Sequence, residues 1–220
     1  MKPDPFLEDA GAPVQCGKDY SMQLLLSSHN RDKSRELAHA LLGLPIDVRT
    51  LDDVGDWPEV EETGTTLEEN ALIKARAGLA HFGIPTLADD TGLEVDALNG
   101  APGVYSARFA GPDATYADNV NKMLTVMAGV PEGERSARFR CVIAILDPDG
   151  RETVVSGEVS GRMLTAVRGD KGFGYDPIFF VPETGKTFAE MSLEEKREVS
   201  HRGRALAKAR AVLQEWYDLK

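Results

Sequence analysis

The sequence of 220 residues lacks the features that mark secreted and membrane proteins. It has two cysteines, Cys16 in a polar leader and Cys141 in an apolar run, so a disulfide framework is not expected. No apolar stretch approaches the roughly 18 residues of a membrane-spanning helix. Residues 1–20 also lack the apolar centre of a secretion signal. These absences predict a cytoplasmic protein with no membrane partner.

Positive charge is also scarce, since 25 lysines and arginines stand against 36 aspartates and glutamates for a net charge of −11. Such a surface disfavours a nucleic acid polymer as partner, because affinity for DNA or RNA comes mainly from cations that neutralise phosphates. A small anionic ligand remains compatible with a local basic pocket. Apolar residues make up 42% of the chain, which predicts a folded domain over residues 21–220 after a loose N-terminal extension, residues 1–20.

The most informative stretch places two adjacent carboxylates, Asp89 and Asp90, after the apolar run 86–88. This run predicts a short buried strand, which puts both acids at its carboxyl end, where open α/β sheets bind ligands. Two neighbouring like charges require a cation or a proton between them, and a divalent metal ion is the simplest candidate. A solvated turn, capped by the aspartates and Thr91, is the alternative.

A second acidic pair, Glu61 and Glu62, precedes a predicted helix over residues 67–83. Thr66 and Glu69 have the spacing of a capping box, which predicts the start of that helix. If the fold brings the two glutamates to the aspartate pair, the oxygen ligands would suit Mg²⁺. A solvated acidic loop is the alternative.

A polar turn follows the predicted first strand, residues 23–26, and leads into a helix. Ser28, Asn30 and Lys33 lie at the start of this helix, where free N–H groups and the helix dipole favour an anion such as phosphate. An ordinary cap by Asn30 or Asp32 explains the same pattern.

Three glycines punctuate the stretch 169–177, which also carries Phe173 and Tyr175. Glycine allows the backbone to approach a ligand closely, and the two rings offer flat faces for a nucleobase. A surface loop with both aromatics in the core is the alternative.

His201 and Arg202 lie between two predicted helices, the first of which contains Lys196. Arginine suits two-pronged recognition of a phosphate or a carbonyl edge. Local pattern favours an exposed charged hinge at this point.

These segments, in their order along the chain, resemble the inosine triphosphate pyrophosphatase family, also called dITP/XTP diphosphatases. The resemblance covers roughly residues 22–215. The matching motifs are Ser28-His29-Asn30 with Lys33 and Glu36, residues 61–75, Ala88-Asp89-Asp90-Thr91-Gly92-Leu93, residues 100–108, residues 172–177, and Ser200-His201-Arg202-Gly203.

The resemblance implies an α/β fold, a curved mixed β-sheet with flanking helices in two lobes and a central nucleotide-binding cleft. It implies a cytoplasmic homodimer that hydrolyses the purine nucleoside triphosphates dITP, ITP and XTP to the monophosphate and pyrophosphate. The implied cofactor is Mg²⁺.

Individual roles follow from the matching positions. The implied catalytic residues are Asp90, Lys33 and Lys74. The implied metal ligands are Glu61, Glu62, Asp89 and Asp90. The implied substrate-binding residues are Ser28, His29, Asn30, Lys33, Thr91, Phe173, Gly174, Tyr175, Asp176, Lys196, His201 and Arg202. Two positions depart from the family pattern, because His29 replaces a glycine and Thr91 replaces a serine.

Two other classes of function remain open at this point. The triplet Asp90-Thr91-Gly92 resembles that of aspartic proteases, which need two facing copies, whereas this chain has one. A nucleotide-binding module without turnover is the other class, if the bulk of His29 prevents productive placement of the phosphates.

Overall fold

The computed structural model describes residues 22–55, 57 and 60–219, so Cys16 and the predicted extension 1–20 lie outside the described residues. The strands in the described part are β1 (Met22–Leu26), β2 (Ile46–Thr50), β3 (Thr86–Val95), β4 (Pro102–Gly103), β5 (Ser136–Leu146), β6 (Glu152–Met163), β7 (Phe179–Val181) and β8 (Lys186–Thr187). The α-helices there are α1 (Arg31–Leu41), α2 (Leu51–Val54), α3 (Leu67–Phe82), α4 (Tyr116–Val126), α5 (Leu193–Val199) and α6 (His201–Tyr217).

All of these strands join one mixed sheet in the order β2-β1-β3-β5-β6-β7-β8, with β4 paired to β3. Strand β1 runs parallel to β2 and β3, whereas the pairs from β3 through β5, β6, β7 and β8 are antiparallel. The predicted α/β fold is confirmed. The apolar runs 137–146 and 153–159 on either side of the turn 147–150 predict a hairpin, which is present as β5 and β6 and extends further than those runs.

The strand that carries Asp89 and Asp90 is longer than predicted. We expected it to end before the acids, but β3 continues to Val95 because β5 pairs with it along its whole length. The neighbour on its other side, β1, pairs no further than Leu87. The two aspartates therefore lie within β3, beside the space that opens where β1 ends.

Apolar packing divides the molecule into two lobes. In the first lobe, α1 and α6 pack against the parallel strands around Leu24 and Leu206. In the second, α4 packs against the far ends of β3, β5 and β6 around Met123 and Phe179. The long central strands pass through both lobes and leave a cleft between them.

Helix α3 covers the opposite face of the central strands from α6, and the alternation of side chains in β3 follows from this arrangement. Leu87 packs into the cluster of α1 and α6, and Ala88 packs into the cluster of α3. Because side chains alternate along a strand, Asp89 lies on the α6 face and Asp90 on the α3 face.

The helix starts agree with the capping signals. Thr66 forms the predicted capping box of α3. Ser192 forms a capping box with Glu195 at the start of α5, and Ser200 caps α6. The prediction of an exposed hinge at His201 and Arg202 was wrong, because both begin α6 and are buried. None of the helices in the described ranges is both long and apolar enough to cross a membrane.

Arg135 ties the second lobe together from inside. Its side chain is buried and donates from Nε to the carbonyl of Met163, from Nη1 to that of Met127 and from Nη2 to that of Leu164, at 2.7, 2.7 and 2.9 Å. The fork of the guanidinium thus satisfies carbonyls at the end of α4 and the end of β6 together.

We predict that Arg135→Met lowers the free energy of unfolding by about 3 kcal/mol, because it removes a buried donor from each of these three carbonyls. Urea denaturation measures the change. The matched control is Arg35→Met, since the Arg35 side chain is 75% exposed and its change should stay within ~0.5 kcal/mol. Equal effects of the two substitutions would contradict the role assigned to Arg135.

Candidate active site

The cleft between the lobes encloses about 860 Å³ and receives side chains from both. It brings together the site residues indicated by the sequence, apart from Asp89. Those lining it are Ser28, His29, Asn30, Lys33, Glu61, Glu62, Lys74, Asp90, Thr91, Phe173, Gly174, Tyr175, Asp176, Lys196, His201 and Arg202.

Asp90 lies against α3 at the floor of the cleft. The Lys74 ammonium is 3.2 Å from Asp90 Oδ1 and 2.8 Å from Glu62 Oε1. One helical turn earlier, Asn70 donates from Nδ2 to Asp90 Oδ2 at 3.4 Å. The i,i+4 spacing of Asn70 and Lys74 thus presents an amide and a cation to one carboxylate.

Three carboxylates meet in this corner. Lys74 lies between Asp90 and Glu62. The Arg108 guanidinium is 4.0 Å from Glu62 Oε2, and Glu61 adds a further carboxylate to the wall of the cleft. Burial raises the pKa of Asp90 despite the attraction of Lys74, and the nearby Glu62 carboxylate adds to the rise. A carboxylate with a raised pKa is suited to accept a proton.

The donor chemistry of this corner fits a hard divalent cation. Among the described residues, no three His, Cys, Asp or Glu side chains are grouped closely enough to hold a metal ion. Mg²⁺, however, commonly takes one or two carboxylates and completes its shell with water and substrate phosphates. Asp90 and Glu62 already converge on a positive charge, that of Lys74, so the carboxylates present fit such an ion.

Asp89 has a different environment on the other face of β3. It is fully buried, and its Oδ2 lies 3.4 Å from Lys33 Nζ and 3.4 Å from Arg202 Nε and accepts a hydrogen bond from the Thr91 hydroxyl at 3.2 Å. Burial opposes ionisation, but the cations Lys33 and Arg202 outweigh it and lower the pKa of Asp89. Asp89 therefore does not line the cleft but holds in place the two cations, Lys33 and Arg202, that do.

Arg202 belongs to a chain of alternating charges. Its Nη1 lies 2.5 Å from Glu36 Oε2, and Glu36 Oε1 lies 2.8 Å from Lys196 Nζ. Lys196 continues to Asp176 Oδ2 at 2.6 Å. These contacts explain why residues predicted to form an exposed hinge are buried instead, since each charge has opposite neighbours.

The two aromatic residues of the glycine-rich segment lie in different environments. Tyr175 is buried and donates its hydroxyl to the Ser106 carbonyl at 2.9 Å, whereas Phe173 is half-buried at the cleft. Gly172 adopts a φ of +72°, and a side chain there would collide with the Asp176 carboxylate. That carboxylate accepts from the Phe173 N–H at 2.9 Å, which shapes the turn.

At the start of α1, the two interpretations of Asn30, as a helix cap and as a residue of the cleft, are compatible. Its Oδ1 caps the helix by accepting from the Lys33 N–H at 3.1 Å, and the same residue lines the cleft. His29, which departs from the family pattern, is exposed and contacts the Trp57 carbonyl through Nε2 at 3.0 Å. The His29 ring thus ties the turn to the loop before Glu61.

Three residues that line the cleft or contact its lining were not among the predicted site residues. Asn70 lies four residues before Lys74, and this spacing on one face of α3 is the signal for its contact with Asp90. Glu36 stood in a matching motif, but its contact with Arg202 spans 166 residues. Tyr116 gave no signal, because the fold alone brings it to Asn30 across 86 residues.

The architecture and the cleft define a class of protein. It is a two-lobed α/β protein whose cleft combines a helix N-terminus with lysine, a carboxylate cluster and a glycine-aromatic loop. The chain belongs to the Ham1 family, whose family model matches residues 24–212. Membership in this family argues against an aspartic protease. The contact of Asp90 with Lys74 also argues against it, because the aspartate of such a protease faces a second aspartate.

Curated relatives give the same assignment. The chain is 52% identical over 185 residues to the dITP/XTP pyrophosphatase of Geobacter sulfurreducens, covering 84% of this chain and 93% of that protein. It is 48% identical to the dITP/XTP pyrophosphatase of Desulforamulus reducens, with 89% and 98% covered.

Solved structures share the fold. The HAM1 protein from Coxiella burnetii superposes with a TM-score of 0.80 at 41% identity, over 88% of this chain and 99% of that chain. The Staphylococcus aureus Ham1 protein gives a TM-score of 0.77 at 39% identity, over 88% and 98%.

The opposite environments of the two aspartates predict opposite effects of one substitution. Asp89 has a lowered pKa, so its charge stabilises the fold above its ordinary pKa of 3.8, and this stabilisation is lost as pH falls through the lowered value. Asp89→Asn should therefore lower the free energy of unfolding at pH 7 by about 3 kcal/mol.

The pKa of Asp90 is shifted in the opposite direction. Its raised pKa means that the ionised group opposes folding above that value, and the neutral group relieves the strain of burial. Asp90→Asn should leave stability at pH 7 unchanged or raise it by up to ~1 kcal/mol. Urea denaturation of the two variants measures both changes, and a larger loss for Asp90→Asn than for Asp89→Asn would refute the assignment.

Proposed function

We propose that this protein is a nucleoside triphosphate pyrophosphatase that hydrolyses dITP, ITP and XTP to the monophosphate and pyrophosphate, and so removes aberrant nucleotides from the precursor pool. The observation that carries the proposal is the cleft itself. It joins Lys33 and Lys74, the carboxylates around Asp90 and the loop of Phe173 within one cavity. The activity for which these relatives are named agrees with the proposal.

In the proposed mechanism, water attacks the α-phosphorus, and the bond from that phosphorus to the bridging oxygen breaks to release pyrophosphate. Asp90 takes the proton from the water, for which its raised pKa suits it. Lys33 and Lys74 stabilise the negative charge that develops on the phosphate oxygens. Asn30 and Ser28 orient the triphosphate at the positive end of α1.

We propose Mg²⁺ as the cofactor, held by Asp90, Glu61 and Glu62. When bound, it supplies positive charge that neutralises the phosphates and favours departure of pyrophosphate. The convergence of Asp90 and Glu62 beside Glu61 in one cavity supports the proposal. The resemblance suggested Asp89 as a fourth ligand, but its burial between Lys33 and Arg202 favours a supporting role.

Base selection would take place at the other end of the cleft. His201 stacks on Phe139 with ring centroids 4.6 Å apart, and burial together with the charges of Arg202 and Lys196 lowers its pKa well below the usual value. His201 is thus a neutral ring that offers one N–H donor. With Arg202, Lys196 and backbone N–H groups, it favours a 6-oxo purine, since a 6-amino group would leave donors unpaired.

The resemblance also supports a homodimer in the cytoplasm, which we propose for this chain. Sedimentation should give twice the chain mass of 23.9 kDa. A species of single mass at micromolar concentration would contradict the dimer.

A nucleotide panel with Mg²⁺ tests the activity. We expect pyrophosphate, not orthophosphate, from dITP, ITP and XTP, and turnover of dATP slower by about 100-fold or more, because adenine leaves buried donors unpaired. Asp90→Asn should reduce dITP turnover by at least about 1,000-fold, since it removes the proton acceptor and one metal ligand.

The matched control is Glu94→Gln on the same strand. Glu94 pairs with Arg138 outside the cleft, so this variant should retain full turnover. Near-normal activity of Asp90→Asn would overturn the role of Asp90. Tight dITP binding by the unaltered protein without pyrophosphate release would instead favour the binding module without turnover.

A further inference from the structure

Tyr116, a residue of the second lobe, reaches across the cleft to the start of α1. It begins α4, where Thr115 and Asp118 form a capping box that fixes its backbone. Its side chain lines the cleft and 42% of the residue remains exposed. Neither a core position nor a free surface position explains this placement.

The hydroxyl of Tyr116 is held by the start of α1. It accepts a hydrogen bond from Asn30 Nδ2 at 3.0 Å and donates to Asp32 Oδ2 at 3.3 Å. Asn30 in turn caps α1 through its Oδ1. The hydroxyl is therefore fixed beside the turn that the proposed function assigns to the triphosphate.

The ring of Tyr116 faces the other end of the cleft. Its centroid lies 5.7 Å from that of Phe173, with 39° between the ring planes. Phe173 belongs to the loop that the proposed function assigns to the base. Tyr116 thus contacts the phosphate turn with its hydroxyl and the base loop with its ring.

We propose that Tyr116 forms the sugar subsite of the cleft and packs its ring against the sugar of the bound purine nucleotide. The inference rests on the proposed function. In a nucleoside triphosphate the sugar joins the base to the phosphates, so a side chain that touches both ends of the site lies beside the sugar. An aromatic ring covers the apolar face of a sugar, and the two hydrogen bonds of Tyr116 hold the ring in place.

Inhibition of dITP hydrolysis by two probes tests the subsite. The product dIMP contains base and sugar, whereas inorganic tripolyphosphate contains neither. We expect Tyr116→Ala to raise the KM for dITP and the inhibition constant of dIMP about tenfold, and to change kcat and the inhibition constant of tripolyphosphate less than about twofold. Tyr116→Phe keeps the ring and should weaken dIMP by about threefold.

The control is Tyr105→Ala, because Tyr105 is 56% exposed and lies outside the cleft lining. It should leave all of these constants unchanged. A role limited to joining the lobes would lower stability without separating the two probes. If Tyr116→Ala weakens the binding of dIMP and tripolyphosphate equally, or weakens neither, the sugar subsite alone is overturned. If the unaltered protein neither turns over dITP nor binds dIMP, the proposed function is overturned as well.

Discussion

A buried chain of alternating charges holds the site together. It joins α1, β3, α5, α6 and the glycine-rich loop, and each member touches neighbours of opposite sign. Because an unpaired buried charge destabilises a protein strongly, none of these elements can shift without a penalty to the others. In spatial order the chain is Lys33, Asp89, Arg202, Glu36, Lys196 and Asp176.

Charge balance within this chain explains why we assign the proton transfer to Asp90 and not to Asp89. The chain contains three cations and three carboxylates, so Asp89 is neutralised in place. Strand alternation turns Asp90 to the opposite face, where it shares Lys74 with Glu62. Burial then raises the pKa of Asp90, while the pKa of its neighbour Asp89 is lowered. Two adjacent identical residues thus acquire a structural role and a chemical role from their surroundings.

Local rules predicted much of the frame from the sequence. Capping boxes such as Thr66 with Glu69 marked the helix starts, and the turn residues 147–150 between two strand-like runs marked the hairpin of β5 and β6. The convergence of the segments was predicted through the family resemblance, since short motifs do not show which of them meet in space. The end of β3 was misplaced, because pairing with β5 carries the strand through polar residues that local pattern assigns to a turn.

The remaining errors have the same physical origin. Burial of Arg202 depends on Asp89, 113 residues away, and on Glu36, 166 residues away, so its own sequence neighbours give no sign of it. Tyr116 reaches the cleft through contacts with Asn30 and Phe173, which lie on other elements. Long-range partners decide whether a charged or aromatic side chain is exposed, and local periodicity does not contain them.

Titration of the carboxyl carbons of ¹³C-labelled aspartate by NMR, assigned with the Asp89→Asn and Asp90→Asn variants, tests the central claim most directly. The account predicts that Asp90 takes up its proton above the ordinary aspartate pKa of 3.8 while Asp89 remains ionised at that pH. Joint titration of the two carboxyl groups near pH 3.8, or protonation of Asp89 before Asp90, would contradict it.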